Sequence, residues 1–246
     1  MSTYVSSVAL YGEKTGPLRH LLATTQKIIA AHLGDTFRPY TLEQIHGTIM
    51  GLDGVADPSS GEFVNRYFLE LTGERRSMDH RLAMDILADR LTPPVTIRLG
   101  GHRGDTAAAF TSRGQHPFER SFSVQGDALV LMGWPIETVK NGDAQRPLDD
   151  LRRALSEAGF LHRYHRSSDD VDNDFYLVVG HHREAPKDAL GRAAGSVRAH
   201  LAAHPLDIQV GIAQVQIVAA DNSTLAPATF VGTLPMGSEQ LALLYS

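Results

Sequence analysis

Hydrophobic and polar positions follow two different periods along the chain and predict both strands and helices. Residues 4–12 have strand composition, and residues 16–34 then place leucine and isoleucine at helical spacing, with Pro17 early and Gly34 at the end. That spacing predicts a helix bounded by the proline and the glycine. Residues 40–52, YTLEQIHGTIMGL, are predicted to form the next strand.

The remaining pattern predicts an α+β protein. Residues 55–76 begin as a polar loop and are a candidate insertion, with a short helix over 62–71. Helices are also predicted over 78–91, 147–160 and 189–204, and strands over 95–101, 120–126, 128–134, 174–182 and 207–221, the last as one long strand or a bent pair. The order helix, strand, helix, strands occurs twice. We therefore expect one bilobal domain over 1–246, with approximate lobes 1–140 and 141–246 that can exchange strands, each a small antiparallel sheet backed by helices beside a central cleft.

Composition narrows the possible functions. The chain has 246 residues, 42% of them hydrophobic and 21% charged, as expected for a globular protein. It contains no cysteine, which excludes thiolate nucleophiles and cysteine-bound metals. The net charge of −5 argues against double-stranded DNA as a partner. No apolar run approaches the roughly 18 to 20 residues that cross a bilayer, so a cytoplasmic location without a membrane partner is expected.

One predicted strand carries candidate chemistry in the stretch QIHGTIMGLDG. Alternation would place His46, Thr48 and Met50 on one face, and Ile45 and Ile49 on the other. An imidazole exchanges protons near neutral pH and a hydroxyl can bind an oxyanion, so the pair suits phosphate chemistry. With 12 histidines in the chain, about 1.6 His-x-Ser/Thr matches arise by composition alone. The strand context therefore carries the interpretation, and a purely structural histidine is the alternative.

The layout of SVALYG, a helix and IHGTIMGLDG resembles the first half of the two-histidine phosphoesterase superfamily, which includes RNA 2′,3′-cyclic phosphodiesterases and cyclic nucleotide phosphodiesterases. The resemblance extends in outline from Tyr4 to about Met236. It implies two lobes related by a pseudo-twofold axis, each with a His-x-Thr/Ser facing one phosphate, without metal or other cofactor. His46 would transfer a proton and Thr48 would bind a phosphate oxygen.

Two segments compete for the second half of such a site. By position, Tyr176 and Val178 in NDFYLVVGHH stand where the second motif is expected. Tyr176 can bind phosphate or donate a proton, but its ordinary pKa near 10 makes it a poor base at pH 7. By composition, the only other His-x-Ser/Thr begins at His165, in a charged segment with loop character. There His162, His165 and Arg166 could supply a second imidazole and a cation, unless the loop is simply solvated.

A local excess of arginine predicts an anion site. The segment TSRGQHPFER joins Ser112, Arg113 and Arg120, whose donors suit a phosphate, although a solvated hairpin is the alternative. No metal site is predicted. The segment DVDNDF begins like a calcium loop, but Phe175 occupies the position that needs glycine.

These observations predict a phosphodiesterase that acts on a cyclic nucleotide or an RNA-end phosphodiester by metal-independent acid–base catalysis involving His46. The alternative is a catalytically degenerate protein of the same fold that binds nucleotides or RNA ends. The expected partner is a phosphate-containing small molecule or an RNA end. The oligomeric state stays open.

Overall fold

The chain forms a mixed α+β structure in a computed structural model that describes residues 2–14, 16–57, 59–136, 139–140 and 143–245. The strands are β1 (Ser2–Ala9), β2 (Phe37–Pro39), β3 (Gly47–Gly51), β4 (Gly54–Ala56), β5 (Phe63–Asn65), β6 (Val95–Leu99), β7 (Phe122–Gln125), β8 (Ala128–Pro135), β9 (Val139–Lys140), β10 (Asp143–Ala144), β11 (Phe175–His182), β12 (Leu206–Val210), β13 (Val215–Ala220) and β14 (Ala228–Thr233). The α-helices are α1 (Gly16–Leu33), α2 (Arg66–Thr72), α3 (His80–Arg90), α4 (Pro117–Arg120), α5 (Pro147–Glu157), α6 (Lys187–Ala203) and α7 (Ser238–Ala242).

The main sheet is antiparallel and has the principal strand order β12-β6-β8-β11-β3-β1-β13-β14. At its centre, β3 meets β11 at one paired position, where Gly47 lies opposite Leu177. A Cβ atom at position 47 would overlap the ring of Phe175, so glycine is required for the two strands to approach. The centre of the sheet therefore depends on a residue with no side chain.

Helices cover one face of the sheet. Ile29 of α1, Leu155 of α5 and Val197 of α6 join Ile49 of β3 in one fully buried hydrophobic cluster. Because strand side chains alternate between faces, β8 also presents residues to the opposite face. These form a separate small cluster of Val130, Met132 and Trp134. The face away from the helices is thus free to carry polar groups beside a local apolar floor.

Most predicted elements are confirmed. The helices α1, α3 and α5 and the strands β6, β7 and β11 lie within the predicted segments, and α6, β1 and β8 overlap theirs but extend one or two residues beyond them. The predicted insertion 55–76 contains the expected short helix, α2, after an unpredicted hairpin of β4 and β5, and residue 58 lies outside the described residues. Over 207–221 the alternative of one long strand is wrong and that of a pair is confirmed: β12 and β13 are separated by a 3₁₀ turn, and β12 pairs with β6 whereas β13 pairs with β1. Strands of both predicted lobes also alternate in the sheet, since β11 lies between β3 and β8.

The strand β3 is shorter than predicted, since residues 42–44 form a turn and His46 directly precedes the strand. Its pairing with β1 skips Ile49, which produces a β-bulge. Both Ile49 and Met50 are fully buried in the main core. The prediction that Met50 shares a face with His46 and Thr48 is therefore wrong, and the residues after the bulge return to the face of His46.

Candidate functional site

A pocket of about 440 Å³ lies over the central strands β3 and β11. It brings together His46 and Thr48 from the β3 segment, Tyr176 and Val178 from β11, and His162 from the loop that follows α5. The other predicted site residues are not part of this lining: His165, Ser112, Arg113, Arg120 and Arg166. Of the two alternatives for the second motif, Tyr176 and Val178 on β11 line the pocket, whereas His165 does not and only its neighbour His162 does.

The imidazole of His46 is fixed in one orientation. Its Nδ1 lies 2.7 Å from the carbonyl oxygen of Gln44, which can only accept, so Nδ1 carries the proton and Nε2 holds the lone pair. Burial lowers the pKa of His46, the bond to Gln44 opposes that shift, and the nearby ammonium of Lys14 lowers the pKa further. The ring is therefore neutral at pH 7. Within the described residues, Nε2 has no hydrogen-bond partner.

Thr48 presents an uncommitted hydroxyl to the same pocket. Its backbone carbonyl accepts a hydrogen bond of 3.2 Å from the guanidinium of Arg152, which holds the strand in place. The side-chain hydroxyl makes no hydrogen bond to any part of the chain that the structure describes. It is available to a ligand as donor or acceptor.

The facing residues on β11 differ, because Tyr176 is already hydrogen-bonded. Its hydroxyl oxygen accepts from Arg113 at 2.7 Å, and the hydroxyl itself lies 3.2 Å from an oxygen of Asp172 and 3.1 Å from one of Asp174. Burial raises the pKa of Tyr176, and the carboxylates of Asp174 and Asp172 raise it further. Tyr176 therefore stays a phenol at neutral pH. Val178 offers no hydrogen bond.

His162 supplies a second imidazole to the pocket. Its Nδ1 lies 3.6 Å from Oδ2 of Asp172, and neither atom has a hydrogen-bond partner among the described residues. Burial lowers the pKa of His162 well below its usual value, and the neighbouring cations, Arg152 first, add to the effect. The ring is neutral at pH 7. Because Nδ1 is directed at Asp172, Nε2 is the nitrogen that the pocket can use.

His165 lies outside the pocket and has a different partner. It is buried, and its Nε2 lies 2.8 Å from the carboxylate of Asp149. That carboxylate also accepts from Arg153 at 2.8 Å and from the backbone N–H of Asp172 at 2.7 Å. Burial acts to raise the pKa of Asp149, but these three hydrogen bonds outweigh it and lower the pKa. The His165 contact thus ties the 160–174 loop to α5.

The predicted anion-binding residues instead surround a buried carboxylate. Ser112 donates to Asp174 at 2.8 Å, and Arg120 donates to the same group at 3.1 Å. The indole N–H of Trp134 donates to it at 2.6 Å. Arg120 and Asp174 are both buried, so this arginine compensates an internal charge.

Arg113 and Arg166 border a second cavity of about 670 Å³. The guanidinium of Arg113 lies 4.1 Å above the ring of Tyr164, and Tyr164 lines both cavities. Arg113 also approaches Asp172 and Asp174, at 3.7 and 3.8 Å. Arg113 therefore interacts with two carboxylates and an aromatic ring, whereas Arg166 is exposed.

The predictions did not include Arg152, a fully buried residue that also contributes to the pocket. It donates to the carbonyl oxygens of Ile49 at 2.9 Å and Thr48 at 3.2 Å, and to those of Asp172 at 2.7 Å and Asp174 at 3.1 Å. It thereby joins β3 to the segment that enters β11. The sequence does indicate that Arg152 is buried, because it lies four residues after Leu148 and so falls on the apolar stripe of α5.

Other lining residues that were missed include Asp53, Tyr67, Arg163 and Tyr164. Arg163 is exposed and has no ion pair within the described parts of the chain. Asp53 follows β3 in the stretch that contains His46. Strict alternation would place it on the opposite face, and the unpredicted bulge brings it to the face of His46. The aromatic residues come from separate segments and carry no common sequence signal.

No protein-family model and no curated protein matches the chain. Among solved structures, it is similar to a conserved protein of unknown function from Agrobacterium tumefaciens, with a TM-score of 0.48 and 12% sequence identity over 94% of this chain and 85% of the other. None of the helices in the described residues is long and apolar enough to cross a membrane.

Proposed function

We propose that this protein is a metal-independent phosphodiesterase that acts on a cyclic nucleotide or an RNA-end phosphodiester. One observation carries the proposal: two neutral imidazoles, His46 and His162, line the same pocket as the uncommitted hydroxyl of Thr48. The pocket volume of about 440 Å³ falls within the range that binds small molecules.

The proposed chemistry needs one proton acceptor and one proton donor. One imidazole accepts the proton of the attacking water, and the other, as imidazolium, protonates the oxygen that leaves phosphorus. Both rings are neutral without ligand, but a bound phosphodiester anion raises the pKa of a nearby imidazole and so favours the protonated form of one. Thr48 donates to a phosphate oxygen, and Arg163 supplies the counter-charge.

The strand order supports the two-lobed arrangement implied by the two-histidine phosphoesterase resemblance. The junction of β3 and β11 has three further strands of the principal order on either side, and each half of the sheet uses strands from both predicted lobes. We infer a pseudo-twofold relation about that junction. The proposed site departs from the family pattern in one respect: its second histidine, His162, comes from a loop and not from a strand.

A substrate panel tests the proposal. Purified protein is incubated in EDTA with 2′,3′-cyclic nucleotides, 3′,5′-cyclic nucleotides and 2′-5′-linked oligonucleotides, beside the variants His46→Asn and His162→Asn. We expect turnover of one substrate class and a loss of about 10²- to 10⁴-fold in either variant. His20→Asn, at an exposed position on α1, is the matched control and should retain full turnover. Turnover that survives His46→Asn would contradict the proposal.

A second candidate function is binding of nucleotides or RNA ends without turnover. The observation that favours it is the engagement of Tyr176 with Arg113 and two carboxylates, beside Val178, at the expected second motif. Calorimetric binding of a nucleoside monophosphate, together with no turnover across the panel, would establish this alternative.

A further inference from the structure

The bulge in β3 gives the pocket two chemically different ends. Before the bulge, Thr48 faces the pocket, and after it Gly51 and Asp53 do so. Thr48 and Gly51 pair with Val8 and Ser6 of β1, which are two residues apart, so at about 3.3 Å per residue they lie roughly 7 Å apart along the strand. The pocket therefore extends from a region of imidazole and hydroxyl groups to a region built around a carboxylate.

The carboxylate of Asp53 is held as a hydrogen-bond acceptor. Only 5% of the residue is exposed, and its Oδ1 accepts from the backbone N–H of Val5 at 3.0 Å. Its Oδ2 accepts from the hydroxyl of Tyr67 at 3.0 Å. Burial raises the pKa of Asp53, and the bonds from Tyr67 and Val5 together with the charges of Arg66 and Arg163 offset only part of that rise. Two donors already point at the carboxylate, and each oxygen keeps a lone pair for a ligand.

The surroundings of Asp53 suit a flat ring with polar edges. A Cβ atom at Gly51 would lie 3.1 Å from the ring of Tyr67 and 3.9 Å from Oδ2 of Asp53, so glycine allows the Tyr67 ring to pack against the strand beside the carboxylate. The ring of Tyr4 lines the same pocket and stacks with the guanidinium of Arg66 at 4.6 Å. Aromatic walls of this kind bind the face of a planar heterocycle, while a polar group reads its edge.

We propose that Asp53 selects a guanine base in the substrate of this pocket. A carboxylate with a free lone pair on each oxygen matches two parallel N–H donors. Among the four RNA bases, guanine alone presents two adjacent donors on one edge, N1–H and the 2-amino group; adenine and cytosine present an amino group and uracil a single ring N–H. The inference rests on the proposed function, since it places the phosphate at His46 and the base at Asp53.

Calorimetric titration of the unmodified protein tests the match by changing the ligand. The probes are guanosine, inosine, adenosine, cytidine and uridine 3′-monophosphates, which contain no diester and are not turned over. We expect guanosine 3′-monophosphate to bind at least about tenfold more tightly than the inosine compound, which lacks only the 2-amino group. Equal dissociation constants across the five probes would overturn base selection.

The variant Asp53→Asn provides the reciprocal test. An amide replaces one acceptor by a donor, so it matches xanthosine, which carries a carbonyl where guanosine has the 2-amino group. We expect the preference of the variant to change from guanosine to xanthosine 3′-monophosphate. Asp57→Asn is the matched control, because Asp57 is equally buried but lies outside the pocket, and it should keep the guanosine preference.

The outcomes separate this inference from the proposed function. Equal binding of all bases, with turnover that depends on His46, would overturn only the role of Asp53. Guanosine preference without turnover in any phosphodiester assay would support Asp53 and reject the phosphodiesterase. Absence of binding by every probe, together with no turnover in the substrate panel, would overturn both. If Asp53→Asn does not fold, the comparison of guanosine with inosine still decides the question, because it requires no variant.

Discussion

The two central strands of the pocket use their polar side chains in opposite ways. Beside β3, the Nε2 of His46 and the hydroxyl of Thr48 make no hydrogen bond within the described residues. On β11, the hydroxyl of Tyr176 contacts Arg113, Asp172 and Asp174. One strand thus presents free groups to a ligand, whereas the other is part of an internal charge network.

The difference indicates that β11 mainly stabilises the structure around the pocket. The network around β11 contains buried aspartates, which require paired cations and hydrogen bonds to remain inside the protein. Tyr176 completes that network and is not free for proton transfer. In the proposed mechanism, the second proton carrier is therefore His162 of the adjacent loop, which lies beside Asp172.

The largest effect is expected from breaking the link between the two strands. Arg152→Met removes four hydrogen bonds to carbonyl oxygens and leaves Asp172 without its closest buried cation. We expect the free energy of unfolding to fall by about 3 to 5 kcal/mol. Urea denaturation at pH 7 measures it, with Arg192→Met, at an exposed ion pair on α6, as the control. A loss equal to that of the control would contradict the linking role.

A hydroxyl swap sharpens the contrast between the strands. Thr48→Val removes the free hydroxyl of β3, and Val178→Thr adds one at the position of β11 that corresponds to Thr48 in the expected second motif. Because a hydrogen bond to a charged group contributes about 1.5 to 3 kcal/mol, we expect Thr48→Val to lower kcat/KM by about 10- to 100-fold. Val178→Thr should cause no loss. If both variants keep wild-type kcat/KM, Thr48 does not bind the phosphate.

The pH dependence of stability reports the buried state of His162. Its pKa is lowered on folding by burial and by Arg152, His165, Arg163 and Arg113, so below about pH 6.5 the unfolded chain takes up a proton that the folded protein does not. Stability is therefore present above that pH and is lost as the pH falls, by up to about 1.4 kcal/mol per pH unit for one such group.

The variant His162→Gln should reduce this slope between pH 6.5 and 5.5. Denaturation at several pH values in that window, with the exposed His20→Gln as the comparison, measures the change. A slope that is the same in His162→Gln and in the wild type would mean that the imidazole is not held neutral.

The smallest effect is expected at Tyr176. Tyr176→Phe keeps the ring on β11 and removes only the hydroxyl, whose partners retain other contacts: Asp174 keeps Ser112, Arg120 and Trp134. We expect a stability loss of about 1 kcal/mol and a change in kcat of less than about tenfold. A loss of 10²-fold or more in kcat, with normal stability, would assign proton transfer to Tyr176 and contradict the division of roles.

The sequence predicted the β3 side of the site better than the β11 side. Period-two alternation suffices to place His46 and Thr48 on one face, because the pattern is local. It failed at Met50, since a bulge depends on pairing with β1 and leaves no mark in the order of residues. The arrangement of β12 and β13 at different places in the sheet is likewise a long-range property.

The β11 side depended on contacts between distant segments. Arg113 and Arg120 were predicted to bind a phosphate, but they contact Asp172 and Asp174. An excess of positive charge in the sequence does not reveal which carboxylates will be buried nearby. His162 and His165 lie three residues apart, yet one lines the pocket and the other pairs with Asp149. The fold of the loop, and not the residue type, determines which of the two histidines lines the pocket.

The most direct test of the central claim is the response of the histidine rings to ligand. Proton–nitrogen NMR of the side-chain nitrogens is recorded while a nucleoside 3′-monophosphate is added in EDTA. We expect the Nε2 signals of His46 and His162 to shift together and the pKa of at least one of them to rise in the presence of the phosphate, while His165 does not respond. A shift of His165 alone, or no shift of His46 and His162 at saturating ligand, would contradict that claim.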